Sequence, residues 1–298
     1  MFSTTLIFVH KITKLTYNVG MKKALALDIG GTNTRLALVN EKNEIERILI
    51  KPTVCSDKNL FMQNIMDGIS EFNLDDVVAI GAGVPGVVDR KKGEIIDLPN
   101  VFVKDIPFKK IIEEKFHKQV FLRNDAEVAC LGEALSPLGK KYQRVLFITI
   151  STGLGVSLCV DQEIQNYVTE VGHTLTHYKD NYYEYSILTG IKFPIFADLN
   201  GLGKISPKEF FSNIQTKTEY QKVLQEWISL ANNFLDLMIN SYRPELIVFT
   251  GGLMNNKDLF LDEFKAAHPE VRMEECYFKT NAGLVGAGRL ALQQVKTK

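Results

Sequence analysis

Apolar residues along this chain fall into short strand-like runs separated by stretches with helical spacing. Strands are predicted over residues 24–38 and 145–160, each as a pair, and over 76–82, 119–122 and 246–250. Helices are predicted over residues 57–72, 107–116, 125–135, 224–238 and 281–295. Because strands that alternate with helices form largely parallel sheets covered on both faces, the pattern predicts an α/β fold.

Two segments share the same order of apolar strand, glycine-containing turn and second strand. Gly30-Gly31 interrupts the first segment, and Thr152-Gly-Leu-Gly155 interrupts the second. This weak internal repeat predicts two related lobes. We expect a loosely attached N-terminal extension at 1–20, although an extra packed strand or helix is the alternative. The N-terminal α/β lobe is predicted at 21–124 plus 282–298, and the C-terminal α/β lobe at 125–281.

Composition and charge exclude several functional classes. The 298-residue chain has 35 Lys and Arg residues against 35 Asp and Glu residues, so it has no net charge to attract nucleic acid or an anionic membrane. Its four cysteines offer neither a disulfide framework nor a CxxC pair, which favours a reducing compartment. The apolar run Leu6–Val9 is too short for a membrane span or a secretory signal. We therefore expect a cytoplasmic protein.

Two motifs suggest chemistry that their surroundings do not support. Gly81-Ala-Gly-Val-Pro-Gly86 matches the dinucleotide-binding GxGxxG, but that fingerprint needs a helix to begin within it. Residues 85–89 instead predict a turn and extended chain, so a nicotinamide enzyme is not expected. His173 and His177 have metal-ligand spacing but no obvious third ligand, which favours a surface or substrate-facing pair over a metal site.

Three glycine-rich turns, each after a predicted strand, favour a nucleoside triphosphate. Asp28 ends the first strand, and the turn that follows contains Gly30, Gly31, Thr32 and Asn33, where backbone N–H groups can approach an anion. Further turns contain Thr152-Gly153 and Gly251-Gly252. Any single turn would be interpreted as an ordinary hairpin. The three together predict a nucleoside triphosphate, with Mg²⁺ neutralising part of the phosphate charge.

Asn124-Asp125 lies where a predicted strand meets a predicted helix. A carboxylate at this position can accept a proton from a hydroxyl nucleophile during phosphoryl transfer. The alternative is that Asp125 only caps the helix, a position where Asp is favoured.

Taken together, these segments resemble the ROK family of sugar kinases and repressors, which has the two-lobed actin-like ATPase (ribonuclease H-like) fold of the hexokinase–ROK type. The resemblance runs from about Lys22 to Leu292. Its phosphate motifs are Ala26–Arg35 and Thr152-Gly153, and its adenosine-side motif is Thr250–Leu253. The sugar-lobe loops are Gly83–Asp89 and Leu98–Asn100, the catalytic segment is Asn124–Glu133, and the sugar-binding Glu-x-Gly-His is Glu170–His173.

The resemblance implies an ATP- and Mg²⁺-dependent kinase whose lobes close on a cleft, in a homodimer. Asp125 would be the catalytic base for the sugar C6 hydroxyl. The sugar would be bound by Asn100, Asn124, Asp125, Glu170, His173 and Glu184. The nucleotide would be bound by Asp28, Gly30, Gly31, Thr32, Asn33, Thr152, Gly153, Gly251 and Gly252, with Asp28 orienting hydrated Mg²⁺.

The chain departs from the family pattern in the segment after Glu170–His173. Family members usually have a CxCGxxGCxE zinc cage there, completed by the preceding His, whereas residues 173–184 contain no Cys. We therefore expect no zinc, since a closed structural site needs four N or S ligands. Aromatic packing of Tyr178, Tyr182 and Tyr183 is the expected substitute. Val156-Ser157 and Thr250 also replace glycines that are common in the family, and Glu184 is assigned across a shortened loop.

N-acetylmannosamine is the favoured substrate, on overall resemblance to that branch of kinases, with glucose or N-acetylglucosamine as alternatives. A sugar-sensing repressor is a functional alternative of a different class. Family repressors carry an additional helix-turn-helix domain, and the twenty residues before Met21 contain no basic helix. A non-catalytic sugar-binding protein is a third alternative, which the presence of Asp28 and Asp125 disfavours.

Overall fold

The computed structural model describes residues 21–55, 57–98, 101–165, 170–215 and 217–295, and it is built around two five-stranded sheets. The predicted extension at 1–20 and the predicted sugar ligand Asn100 lie outside the described residues. Within the described part, no helix is long and apolar enough to span a membrane.

The first sheet and its covering helices come from the N-terminal part of the chain. The elements are β1 (Lys23–Ile29), β2 (Asn33–Asn40), β3 (Ile45–Pro52), α1 (Lys58–Ser70), β4 (Val77–Val84), β5 (Val87–Asp89), β6 (Glu94–Leu98), β7 (Val103–Ile106), α2 (Phe108–Phe116), β8 (Gln119–Asn124) and α3 (Asp125–Ala134). The strand order is β3-β2-β1-β4-β8, and β5-β6-β7 form a small separate sheet. Because β1, β4 and β8 are parallel, their carboxyl ends lie at one edge of the sheet.

The second sheet has the same hairpin-first construction. Its part of the chain contains β9 (Arg144–Ile150), β10 (Leu154–Val160), β11 (Glu163–Ile164), β12 (Leu175–Tyr178), β13 (Asn181–Glu184), α4 (Phe193–Leu199), α5 (Pro207–Asn213), α6 (Thr218–Tyr242), β14 (Leu246–Thr250), α7 (Leu261–Ala267), β15 (Arg272–Glu275) and α8 (Ala282–Gln294). The strand order is β11-β10-β9-β14-β15, and β12-β13 form a hairpin of their own. Trp227 of α6 is fully buried in an aromatic core beneath this sheet.

Helices α3 and α8 pack between the two sheets. One buried cluster joins Ala26 and Val39 of the first sheet to Val145 and Leu246 of the second through these two helices. The helices cross so closely that a Cβ added at Gly286 of α8 would lie 1.5 Å from the carbonyl oxygen of Val128 in α3. The crossing therefore fixes the relative position of α3, which begins at Asp125, and the N-terminal sheet that α8 covers.

The predicted α/β fold of the two-lobed actin-like type is confirmed. The predicted helices and strands are present with different end residues, whereas β3, α4, α5, α7 and β15 were not predicted. Helix α1 begins one residue later than predicted because Asp57 is its N-cap, with a side-chain oxygen 2.7 Å from the Leu60 nitrogen. The segment after β4 continues as a turn and the strand β5, as predicted, without the helix that a dinucleotide fingerprint requires. The assignment of 21–124 plus 282–298 and of 125–281 to separate lobes stays a prediction.

Candidate functional site

The carboxyl ends of β1, β4 and β8 place two aspartates at one edge of the first sheet. In the parallel register, Asp28 is paired with Gly83, and Gly83 is paired with Arg123. Asp125 follows two residues later, as the first residue of α3. Burial is the main cause that raises the pKa of Asp28, and the negative charge of Asp125 also raises it. The tertiary structure thus brings together two carboxylates that are almost a hundred residues apart in sequence.

Asn124, and not Asp125, caps helix α3. The Asn124 side-chain oxygen accepts from the Ala126 nitrogen at 2.9 Å, and Glu127 accepts from the Asn124 nitrogen at 3.2 Å to complete a capping box. The Asn124 amide also donates to the Gly86 carbonyl oxygen at 3.1 Å. Capping alone therefore does not explain Asp125, whose carboxylate lies at the start of the helix and is held by the Ala126 nitrogen at 2.9 Å.

The environment of Asp125 suits a proton acceptor. Burial raises the pKa of Asp125, the hydrogen bond from Ala126 opposes this effect, and the negative charge of Glu170 raises the pKa further. A carboxylate with a raised pKa binds a proton more readily than one in water, which is the property that a general base needs.

A cavity of about 320 Å³ contains four of the predicted sugar-site residues. Asn124, Asp125, Glu170 and His173 all line it. Further polar groups on its wall were not predicted from the sequence: Ser151, Ser186 and Lys192. A concave site with a few convergent polar groups has the size and chemistry of a small-molecule site.

Glu184 does not line this cavity, but it contacts three residues that do. Its Oε2 lies 3.0 Å from His173 Nδ1 and 2.9 Å from Ser186 Oγ, and it also accepts from the Lys192 ammonium. These contacts, with Lys192 the largest, lower the pKa of Glu184 to about 2. Glu184 therefore lies beside the residues of the predicted sugar site but does not itself line the cavity.

The segment that would contain a zinc cage forms the β12-β13 hairpin. Tyr178 is buried, stacks on Phe196 at a centroid distance of 5.6 Å and donates to Asn200 at 2.9 Å. Tyr183 packs against the same core. Tyr182, by contrast, is 67% exposed, and among the described residues the only aromatic ring that its own ring contacts is that of His177. Two of the three tyrosines thus anchor the hairpin. In the described part of the chain, no group of three His, Cys, Asp or Glu side chains is arranged to hold a metal ion.

The turn between β1 and β2 presents backbone amides near Asp28. The carbonyl oxygens of Gly30 and Thr32 accept hydrogen bonds from Thr53, at 2.7 and 2.8 Å. The amides of Gly31 and Thr32 donate no hydrogen bond to any described residue. Two adjacent free N–H groups beside a strand end can bind an anion such as a phosphate.

Arg35 is a further charged residue at this turn that the sequence did not single out. It forms an ion pair with Asp28 at 3.6 Å, and its guanidinium donates to Thr280 and Asn281 just before α8. Burial is the largest cause that raises the pKa of Asp28 to about 6, while Arg35 opposes the rise. The carboxylate of Asp28 is therefore partly, not fully, compensated.

A second cavity, of about 420 Å³, is lined by residues from the C-terminal half of the chain. It contains Thr152 and Gly252 from the prediction. Leu253, which also lines it, belongs to the predicted adenosine-side motif. The other lining residues were missed because only the folded chain brings them together: Ser151, Gly190, Pro207, Lys208, Phe211, Ser212, Asn255 and Asn256. Gly251, at the end of β14, has φ of +104°, and a Cβ there would lie 2.2 Å from the Ile150 carbonyl oxygen.

The two cavities meet at the turn between β9 and β10. Ser151 lines both of them, Gly153 lines the first and Thr152 the second. The Ser151 carbonyl oxygen accepts from Gly190 at 2.8 Å, which ties the turn to the segment leading to Lys192. A ligand in one cavity is thus adjacent to a ligand in the other.

Comparison with known proteins identifies related sequences. Residues 24–183, more than half of the chain, match the model of the ROK family. An N-acetyl-D-glucosamine kinase from Histophilus somni is 27% identical over 305 residues, covering 90% of this chain and 98% of its own. A candidate xylose repressor from Caldicellulosiruptor is 22% identical over 74% of this chain, and the chain spans 63% of that repressor's length.

Solved structures share the fold over most of the chain. A candidate N-acetylmannosamine kinase from Listeria monocytogenes superposes with a TM-score of 0.79 at 24% identity, covering 92% of this chain and 100% of its own. A glucokinase from Streptomyces griseus, solved with glucose and AMPPNP, superposes with a TM-score of 0.72 at 22% identity, covering 91% and 99%.

Proposed function

Because the chain belongs to the ROK family, we propose that it is an ATP-dependent kinase that phosphorylates the C6 hydroxyl of a hexose or N-acylhexosamine. The observation that carries this proposal is the meeting of two cavities at Ser151. One is lined by acidic and polar side chains, and the other contains Thr152 and Gly252 of two predicted nucleotide turns. Phosphoryl transfer requires this arrangement, since acceptor and donor must be held side by side.

In this proposal the sugar occupies the 320 Å³ cavity. Asn124, Glu170 and His173 bind its hydroxyl groups directly, and Glu184 acts on it through His173. Asn100, outside the described residues, stays a proposed sugar ligand on the family resemblance alone.

Asp125 is the proposed catalytic base. As the C6 oxygen forms a bond to the γ-phosphorus, the bond from that phosphorus to the β,γ-bridging oxygen breaks, and ADP leaves with the bonding electrons. The hydroxyl proton moves to the Asp125 carboxylate, whose burial favours the protonated form. Closure of the lobes would exclude the water that competes as an acceptor.

The proposed ATP site runs from the second cavity to the β1-β2 turn. In this proposal Gly252, which lines the second cavity, and the preceding Gly251 would bind the nucleoside side, and Thr152-Gly153 would bind the phosphates. Asp28, Gly30, Gly31, Thr32 and Asn33 complete the phosphate site. An incompletely compensated carboxylate at Asp28 would hold a hydrated Mg²⁺. Bound there, the ion would neutralise phosphate charge.

N-acetylmannosamine is the proposed substrate, supported by overall resemblance to that branch of the family and by the shared fold of the Listeria neighbour. Glucose and N-acetylglucosamine are the alternatives, supported by the named activities of other relatives. A homodimer is also proposed on the resemblance, and light scattering on the purified protein would test it.

The deciding experiment is a coupled ADP-release assay with N-acetylmannosamine, N-acetylglucosamine and glucose, with and without Mg²⁺. We expect Mg²⁺-dependent phosphorylation, with the highest kcat/KM for N-acetylmannosamine. The variant Asp125→Asn keeps the size of the side chain and the acceptor for the Ala126 amide, and we expect it to lower kcat by about 10²–10⁴-fold.

The matched control for this variant is Asp67→Asn, the same change at an exposed residue of α1 that contacts Gln63. It should leave kcat unchanged. Undiminished turnover by Asp125→Asn would contradict the mechanism, and preference for glucose would contradict the choice of substrate.

A sugar-sensing repressor is the second candidate, favoured by one observation: a candidate xylose repressor is among the relatives. The two functions separate cleanly in experiment. A repressor would bind operator DNA in a gel shift and release it with sugar, without consuming ATP, whereas the proposed kinase would turn over ATP and leave the DNA unshifted.

A further inference from the structure

Three hydrogen-bond donors converge on a single oxygen atom behind the proposed sugar site. Glu184 Oε2 receives His173 Nδ1 at 3.0 Å and Ser186 Oγ at 2.9 Å, and it forms an ion pair with the Lys192 ammonium. His173, Ser186 and Lys192 also line the 320 Å³ cavity, but Glu184 does not. The carboxylate therefore connects a cation to the imidazole ring, and the ring is the part that faces a ligand.

This arrangement determines which ring nitrogen of His173 has the hydrogen. An ionised carboxylate can only accept, and the pKa of Glu184 is lowered to about 2 by Lys192, Ser186 and His173. His173 Nδ1 must therefore be the N–H donor in this contact. Nε2 has no hydrogen-bond partner among the described residues, so in the neutral ring it remains an acceptor for a ligand.

The backbone around Lys192 is tied to the phosphate turn. The Gly190 amide donates to the Ser151 carbonyl oxygen at 2.8 Å, and the Ile191 amide donates to the Thr152 carbonyl oxygen at 3.2 Å. Lys192 follows directly and precedes α4. The ammonium that binds Glu184 thus belongs to a segment whose position is fixed by the β9-β10 turn. Through Glu184, the position of His173 is therefore also fixed relative to the proposed nucleotide site.

We propose that Lys192 is a positioning residue that holds Glu184 so that His173 keeps its Nδ1–H tautomer and offers Nε2 to a hydroxyl hydrogen of the sugar. The inference rests on the proposed kinase function for its effect on catalysis, but not for the state of the imidazole ring. Partners of this kind orient the group that binds the ligand.

The kinetic test compares Lys192→Met, which keeps a long side chain without charge, with Lys192→Arg, which restores a cationic donor. Loss of one well-oriented hydrogen bond to the sugar should raise its KM about threefold to tenfold in Lys192→Met. KM for ATP and the melting temperature should stay the same, and Lys192→Arg should recover most of the loss. The control Lys204→Met, an exposed lysine in the loop after α4, should match the parent protein.

The spectroscopic test is independent of catalysis. Protein labelled with ¹⁵N-histidine is examined by long-range ¹H–¹⁵N spectra at pH 8, and His173→Gln identifies the signal. We expect the Nδ1–H tautomer in the parent protein and a mixture of tautomers in Lys192→Met.

An Nε2–H tautomer in the parent protein, or a ring signal unchanged by Lys192→Met, would overturn the inference. So would an unchanged sugar KM in Lys192→Met in a protein that phosphorylates sugar. If no sugar is phosphorylated at all, the proposed function fails, while the tautomer still decides whether Lys192 positions the ring.

Discussion

Replacing Asp28 by Asn should stabilise the folded protein at neutral pH while impairing its proposed activity. The Asp28 side chain is 22% exposed, and its ion pair with Arg35 is long, at 3.6 Å. Burial, with a smaller contribution from Asp125, raises its pKa from 3.8 to about 6. A rise of this size corresponds to about 3 kcal/mol against the ionised form in the folded state.

The sign of the pH dependence follows from the two pKa values. In the unfolded chain the Asp28 carboxyl loses its proton near pH 4, whereas in the folded protein it keeps the proton up to about pH 6. Between these pH values the folded state binds more protons than the unfolded state, so the free energy of unfolding falls as the pH rises. Above this pH range the buried carboxylate is ionised and its full destabilising effect is present. Asn has no charge to desolvate, so its advantage should be absent below pH 4 and fully developed above pH 6.5.

We expect Asp28→Asn to raise the free energy of unfolding at pH 7.5 by about 1–3 kcal/mol, the lower values applying if loss of the Arg35 contact offsets part of the gain. Urea titrations between pH 4.5 and 8, in EDTA and without nucleotide, measure this difference. Asp67→Asn, at an exposed position of α1, is the control and should show no pH-dependent gain. Asp28→Asn should also lose Mg²⁺-dependent turnover.

A uniform loss of stability in Asp28→Asn at every pH would refute this reasoning. It would mean that the ion pair with Arg35 outweighs the desolvation of the carboxylate, and that Asp28 is a structural residue. The proposed role of an uncompensated carboxylate beside the phosphates would then have no physical basis.

Two further predictions concern other parts of the site. Gly286→Ala should destabilise the protein by about 1–3 kcal/mol, because its Cβ would lie 1.5 Å from the Val128 carbonyl oxygen; thermal unfolding measures this, with Gly252→Ala, whose Cβ meets nothing within 4 Å, as the stability control. Asn256→Ala should raise KM for ATP about twofold to tenfold through loss of one hydrogen bond in the second cavity. Initial-rate kinetics that show an equal rise in the sugar KM would contradict the assignment of that cavity to the nucleotide.

The fold and the catalytic candidates were predictable because their signals are local. Apolar periodicity locates the strands and helices, and glycine turns after strands mark the places where a backbone can approach an anion. The absence of a helix at Pro85–Asp89 could likewise be anticipated, because proline and glycine restrict the backbone over a few residues. Parallel strands then bring Asp28 and Asp125 to one edge without further information.

The sequence alone could not distinguish an Asp125 that caps helix α3 from one that does not. That distinction needed the Asn124 side chain, which completes the capping box with Glu127 and leaves Asp125 unnecessary as a cap. Both residues are suitable caps by type, so only the side-chain geometry separates them.

The sequence by itself determined the α/β architecture and the residues able to carry phosphoryl transfer, because both depend on short stretches of chain. The tertiary structure alone decided what surrounds them: Arg35 meets Asn281 across 246 positions, and Ser151 borders two cavities built from separate elements. It also showed that Lys192 reaches His173 through Glu184. Such contacts depend on how side chains that are far apart in sequence pack together, and no local sequence pattern predicts that packing.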